Sequence, residues 1–150
     1  MKIFTEDGDE VFDTHDDRTG IDLDSIDLSD KNLEYADLTG FNLSDAKLRS
    51  TKLKGSILYW AILFRADLRN ADLRESILCG ADLKEANLED ADLRDANLGR
   101  DNLGGSTQLQ EARLTGAKLS GAMMAGAEYN SATIFPSGFD PIAHGMIRAN

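Results

Sequence analysis

The chain has 150 residues, 41% of them hydrophobic, which is the size of one compact domain able to bury its own core. Asp and Glu number 27 against 16 Lys and Arg, and the net charge of −11 argues against nucleic acid or an anionic membrane surface as a partner and for a basic or neutral one. Cys79 is the single cysteine, Met1-Lys2 is followed by no apolar leader, and no run of 18 apolar residues is present, so the expectation is a soluble, cytoplasmic protein.

Residues 1–20 carry seven acids against Lys2 and Arg18. Within them Lys2-Ile3-Phe4-Thr5 and Glu10-Val11-Phe12-Asp13 flank Glu6-Asp7-Gly8-Asp9, the pattern of a hairpin whose Phe4 and Phe12 can cover the end of whatever follows.

From Leu23 to Leu103 every fifth residue is leucine, 17 of 17. On an α-helix a step of five residues turns by about 140°, so these leucines would spiral around the cylinder without forming a stripe. In a continuous strand a step of five reverses the face each time, and half of them would meet water. What remains is a chain that changes direction after each leucine, one short extended piece and one turn per five residues.

Two positions before most leucines stands a small residue, as in Ala66-Asp67-Leu68, Ala81-Asp82-Leu83 and Ala96-Asn97-Leu98, and alternation puts it on the leucine's side. The residue between them is Asp or Asn in 12 of the 17 units and faces outward, where it can cap turn amides. The last two residues form the turn. Gly40, Gly55, Gly80, Gly105, Gly116, Gly121 and Gly126 all take its second position, where a type II turn demands positive φ.

Ile21, Ile26, Lys31, Phe41 and Asp101 replace the small inward residue; Lys31 and Asp101 are expected to reach solvent at an end or a distorted corner, because a buried unpaired charge is costly. Between Leu103 and Leu109 the step is six, which predicts a bulge of one residue within Gly104-Gly105-Ser106-Thr107-Gln108. Further units are centred on Leu109, Leu114, Leu119, Met124, Tyr129 and Ile134. Phe135-Pro136-Ser137-Gly138-Phe139-Asp140-Pro141 then breaks the repeat, and Phe135, Phe139, Ile142, Met146 and Ile147 offer a plug for its end.

Over residues 21–134 these units resemble the A-[DN]-L-x-x motif of the pentapeptide-repeat family, and the tail is similar to that of cyanobacterial members. The resemblance implies an all-β fold, a right-handed quadrilateral parallel β-helix (β-solenoid) with one pentapeptide per side and four per coil. The 23 units then make about six coils, a rod roughly 27 Å tall, with residues 1–20 as an acidic N-terminal cap and 135–150 as a C-terminal cap.

With four units per coil, residues 20 apart stack, and the outward positions can be mapped. They are polar almost throughout, yet Ile57, Tyr59, Trp60, Ile62, Phe64, Ile77 and Cys79 point outward on two adjoining sides, with Ile77 over Ile57 and Cys79 over Tyr59; Tyr35 lies apart. Such a patch is either a protein interface, for which Trp and Tyr are typical anchors, or satellite core beneath a terminal segment. Glu34, Lys54, Arg74 and Arg94 share another column beside Lys52, Asp72 and Asp92, which reads as a solvated charge ladder.

Asp22, Asp24, Asp27 and Asp30 lack the glycine and terminal glutamate of a calcium loop, and His15 and His144 lie in opposite terminal segments with no nucleophile to serve. Cys79 has no basic cluster to activate it. No metal, cofactor or catalytic set is therefore expected. The reading is a non-catalytic structural or protein-binding module whose partner is a protein, a second copy of the chain included. The alternative implied by the resemblance is an acidic mimic of DNA that binds DNA gyrase or another DNA-binding protein.

Overall fold

A computed structural model describes the backbone of residues 2–4 and 10–13 and the whole of residues 21–150. The expected hairpin is present in its backbone: β1 (Lys2–Phe4) pairs antiparallel with β2 (Glu10–Asp13), with Ile3 opposite Phe12. The seating of Phe4 and Phe12, and His15, lie outside the described residues.

From Asp22 onward the backbone rises by parallel bridges between residues 20 apart: Asp22 with Asn42, Asn42 with Ile62, Ile62 with Asp82. Four five-residue units thus separate stacked residues. Leu28 to Leu98, at every fifth position, are all buried along one axis with the alanines between them.

The unit's chemistry follows from counting its amides. In the unit 41–45, Asn42 donates to the Ile21 carbonyl (2.8 Å) and Leu43 and Asp45 to Ile62 and Phe64 (2.7 and 2.8 Å), while Phe41 closes the preceding turn onto Leu38 (3.1 Å). The fifth amide, on the first turn residue Ser44, has the side chain of Asn42 (3.1 Å). The same bond recurs from Asp22 through Asn97 wherever Asp or Asn stands before the leucine, as in Asp37 to Thr39 and Asp82 to Lys84. A backbone donor away from water needs a partner, so the Asp/Asn preference satisfies the one amide the ladder leaves over.

The second turn residue is left-handed whether it is Gly40 (φ 70°) or Trp60 (φ 52°), and among the described residues 13 other than glycine hold this conformation. Positive φ alone therefore does not demand glycine here. At Gly55 and Gly80 the stronger reason is close approach: the rings of Tyr35 and Trp60, one layer away, lie where a Cβ would stand.

Three expectations about register are corrected. The break after Leu98 is a six-residue loop rather than a one-residue bulge, because Asp82 stacks with Gln108, Asn87 with Arg113 and Asn97 with Met123, all 26 apart. Leu103 lies in this loop and is 83% exposed; buried Thr107 resumes the inward row, its hydroxyl donating to the Leu78 carbonyl (2.9 Å). The left-handed glycine of the loop is Gly104 (φ 87°), not Gly105.

Ile134 is not a core residue either. It bridges to Arg113, 21 positions away, and is exposed, while Phe135 takes the inward place. The extra residue fits because Asn130 Oδ1 accepts the Ala132 amide (3.1 Å) and the Thr133 hydroxyl donates to the Leu109 carbonyl (2.8 Å), making that turn one residue longer.

In the tail, β3 (Glu128–Tyr129) pairs in parallel with β4 (Ile147–Arg148) and extends the ladder by a rung. Of the expected plug, Met146 is buried and Phe135 and Phe139 pack on the core as a stack with centroids 5.0 Å apart. Ile142 and Ile147 instead point to solvent, since Ile142 sits in the turn after Pro141 and β4 presents Ile147 outward.

Two serines at equivalent inward positions make a test of polar satisfaction. Ser76 Oγ donates to the Leu73 carbonyl (2.7 Å), whereas the buried Ser56 hydroxyl has no partner among the described residues. Ser56→Ala is expected to raise stability by about 1 kcal/mol and Ser76→Ala to lower it by about as much, read from urea unfolding midpoints.

Candidate functional site

The apolar patch starts from a local substitution. At Ile57, Ile62 and Ile77 the capping carboxylate or amide is replaced by a hydrocarbon, so the amides of Tyr59, Phe64 and Cys79 lose the side-chain acceptor that the neighbouring units provide. The ladder brings Ile57 and Ile77 together as a bridged pair, with Ile62 on the adjoining side against Asn42 and Asp82. Trp60 is 46% exposed and Ile62 41%, while Ile57, Tyr59, Phe64 and Ile77 are half-buried. The loop after Leu98 approaches them at Tyr59 and Trp60.

Cys79 does not belong to the exposed surface. It is 2% exposed, its thiol directed at the Asn97 carbonyl (3.8 Å), and burial pushes its pKa up, so it is a packed residue rather than a reactive one. The Arg65 guanidinium lies 4.9 Å from the Phe64 ring centroid while it forks onto Asp45 at 2.9 and 2.7 Å. Phe64 is thus partly roofed by a cation that is itself neutralised.

Residues that the repeat assigned to the core complete the site. Asp101 organises the six-residue loop: Oδ1 accepts the amides of Leu103 (2.8 Å) and Gly105 (2.6 Å), and Oδ2 accepts the Trp60 indole N–H. Those bonds, the indole first, hold its carboxyl below the ordinary value of 3.8. The loop so fixed stands opposite the aromatic pair Tyr59–Trp60, whose centroids are 6.0 Å apart, and encloses a cleft of about 390 Å³ lined by Thr39, Tyr59, Trp60, Asp101, Asn102 and Leu103. Asp101 at a small inward position was the sequence signal for this departure; the in-register Leu103 concealed it.

The charge column is a set of closed pairs. Arg74 forks onto Asp72 (2.8 and 2.6 Å) and Arg94 onto Asp92 (2.8 and 2.6 Å), each within its own turn, and Lys54 lies 3.4 Å from Glu75. Arg65, Arg69, Arg74 and Arg94 hold the carboxyls of Asp45, Asp67, Asp72 and Asp92 below the ordinary 3.8. A carboxyl depressed by folding contributes stability that is present above its unfolded pKa and is lost as pH falls through the folded one. The melting temperature is therefore expected to hold from neutrality to about pH 5 and to drop below about pH 4, and Arg74→Gln to shallow that drop in a pH series of thermal melts. A melting temperature that stays level to about pH 2.5 would contradict this.

Among the described residues no group of three His, Cys, Asp or Glu is placed to hold a metal ion, and no helix is long and apolar enough to cross a membrane. His144 packs its ring on Phe139 at 4.3 Å and bonds the Asp140 carbonyl (2.8 Å), a structural role in the tail.

Stacked five-residue turns with an axial leucine row and outward Asp/Asn caps define a parallel β-helix. The family model for pentapeptide repeats matches residues 26–63 and 61–100 in eight copies, and the chain belongs to the pentapeptide repeat family, whose solved members are right-handed β-helices. HetL from the cyanobacterium Nostoc sp. strain PCC 7120, a pentapeptide repeat protein involved in heterocyst differentiation regulation, is 34% identical with a TM-score of 0.71 over 73% of this chain and 46% of its own. The chain thus spans about half of HetL. Rfr23 from the cyanobacterium Cyanothece 51142 is 34% identical with a TM-score of 0.70, over 77% of this chain and 88% of that one. The Nostoc pentapeptide repeat protein alr5209 is 32% identical with a TM-score of 0.58, over 87% and 86%. No curated protein sequence matches the chain.

Proposed function

We propose that this chain is a non-catalytic protein-binding module that works through the face containing Ile57, Tyr59, Trp60, Ile62, Phe64 and Ile77, extended by Leu103. One observation carries the reading: three isoleucines stand where caps would stabilise the turns, and they gather beside an exposed tryptophan. Hydrocarbon retained at the expense of a turn cap, in a patch with Trp and Tyr, is the composition of an interface centre. As architecture we propose about six coils over residues 21–134, with residues 1–20 and 135–150 as terminal caps; the β3–β4 rung and the Phe135–Phe139 stack support the second cap. A cytoplasmic setting suits the lone, buried Cys79. HetL's part in regulating differentiation fits a protein that acts by contact.

DNA mimicry is the weaker reading. Asp67, Asp72 and Asp92 are neutralised by arginines of their own turns, so the faces they occupy offer paired charges rather than a row of bare anions.

The test pairs stability with capture. Trp60→Ser and Ile62→Asn are expected to leave the melting temperature within a few degrees, Ile62→Asn even raising it through a restored cap of up to about 1 kcal/mol, while both abolish capture of the partner from the native cell. Capture of the same proteins by the wild type and both variants would overturn the reading. Inhibition or protection of purified gyrase in a supercoiling assay would put the mimic in its place, and a Trp60-dependent dimer in sedimentation would make the partner a second copy.

A further inference from the structure

We infer that the cleft between the Tyr59–Trp60 wall and the 101–106 loop recognises a basic side chain, Arg or Lys, flanked by apolar residues on an extended segment of the partner. This rests on the protein-binding reading and adds the chemistry of what is bound.

Charge complementarity comes first. Among the described residues, Asp101 is the one ionisable group lining the cleft apart from the Tyr59 phenol, and no cation lines it. Carboxylates bordering the patch at Ile62 and Phe64 are already paired: Asp45 is forked by Arg65, and Asp82 lies 3.2 Å from Lys84. The Asp101 carboxylate accepts the Leu103 and Gly105 amides and the Trp60 indole N–H, and the Gly104 amide acts on it as well, but none of these donors carries a charge that would neutralise it.

Shape agrees with charge. The exposed indole provides a face for a guanidinium or an alkylammonium stem to lie on, with Asp101 at its edge, an arrangement that Arg exploits by stacking and pairing at once. Leu103, 83% exposed, lies beyond the carboxylate and offers hydrocarbon contact to the residue next to the cation. About 390 Å³ is the small end of the range for a binding site and suits one or two side chains rather than a folded domain. The net charge of −11 draws cationic segments toward the molecule and repels a second copy of itself.

The second wall is the segment that leaves the repeat. The five-residue units are committed to axis and turn, whereas in the 101–106 loop Asp101 takes the amides of Leu103 and Gly105 and Leu103 stands in water.

Because Trp60 is the chain's single tryptophan, its indole N–H resonance and its fluorescence report on this cleft alone. The full chain is titrated with three acetylated, amidated pentapeptides: Ala-Leu-Arg-Leu-Ala and its counterparts with glutamate or norleucine at the centre. The arginine peptide is expected to shift the indole resonance saturably and to bind about tenfold more tightly than the glutamate peptide at about 50 mM salt, the preference shrinking several-fold at about 0.5 M. Asp101→Asn removes the preference. Leu103→Ser, which disturbs no buried contact, weakens the norleucine and arginine peptides alike with the melting temperature unchanged. Equal binding of all three peptides overturns the basic-segment inference and leaves the protein-binding reading standing. No indole shift with any peptide overturns it as well, whereas the protein-binding reading is decided separately, by capture with the wild type and both the Trp60→Ser and Ile62→Asn variants and by the gyrase assay. An indole shift on raising the protein concentration alone identifies a second copy as occupant and also overturns it.

Discussion

Leu73→Ala is expected to destabilise the protein by about 3–5 kcal/mol, and Leu103→Ala to leave its urea midpoint within about 0.5 kcal/mol of wild type. The two leucines hold the same place in the sequence repeat. Leu73 is fully buried, in the row that Leu53 and Leu93 continue above and below through the Lys52, Asp72 and Asp92 bridges. Truncation there removes the transfer free energy of the side chain and leaves a cavity that coils held by 2.7–2.8 Å rung bonds, such as those from Leu53 and Leu73, cannot close. Leu103, almost wholly in water, forfeits only solvent contacts. Equal losses at both sites would mean that the loop is part of the core.

Ala71→Leu is expected to cost up to about 3 kcal/mol even though it adds hydrocarbon, read from the same unfolding curves with unchanged slope. Ala71 is fully buried, its carbonyl accepting the Asp92 amide at 2.9 Å and its neighbour Asp72 donating to Thr51 at 3.0 Å. Three added carbons would have to spread coils whose spacing those bonds fix. The axial row takes large side chains and the row beside it small ones, and exchanging their sizes at one unit offends both. An Ala71→Leu protein as stable as wild type would show that the interior is loosely filled.

The architecture was legible because one period excluded the helix and the flat sheet together, and because the small inward residue and the polar outward one each have a single physical use. The Asp/Asn preference was read as capping, and the amide left over in each unit supplies its cause. The site was legible only in part. Ile57, Tyr59, Trp60, Ile62, Phe64 and Ile77 sit where the map put them, with Phe64 under Arg65. Cys79 is buried against the Asn97 carbonyl, a contact 18 positions along the chain that no five-residue pattern encodes.

The loop was missed for a different reason. Leu103 keeps the period, but Asp101 competes with the ladder for the amides of Leu103 and Gly105, and a charged acceptor wins where the alternative is to bury it. The same kind of local competition at Asn130 and Thr133 displaced Ile134 by one place. Periodicity reports what the ladder wants; it does not report side chains that outbid the ladder.

The resumption of stacking at an offset of 26 after one of 20 shows that this corner takes six further residues while the rungs on either side are kept. A foreign segment spliced between Arg100 and Thr107 would meet two anchor points already fixed in space by the rungs on either side. The molecule is in that sense a frame with a replaceable fitting, on which recognition can be exchanged while the frame stays as it is.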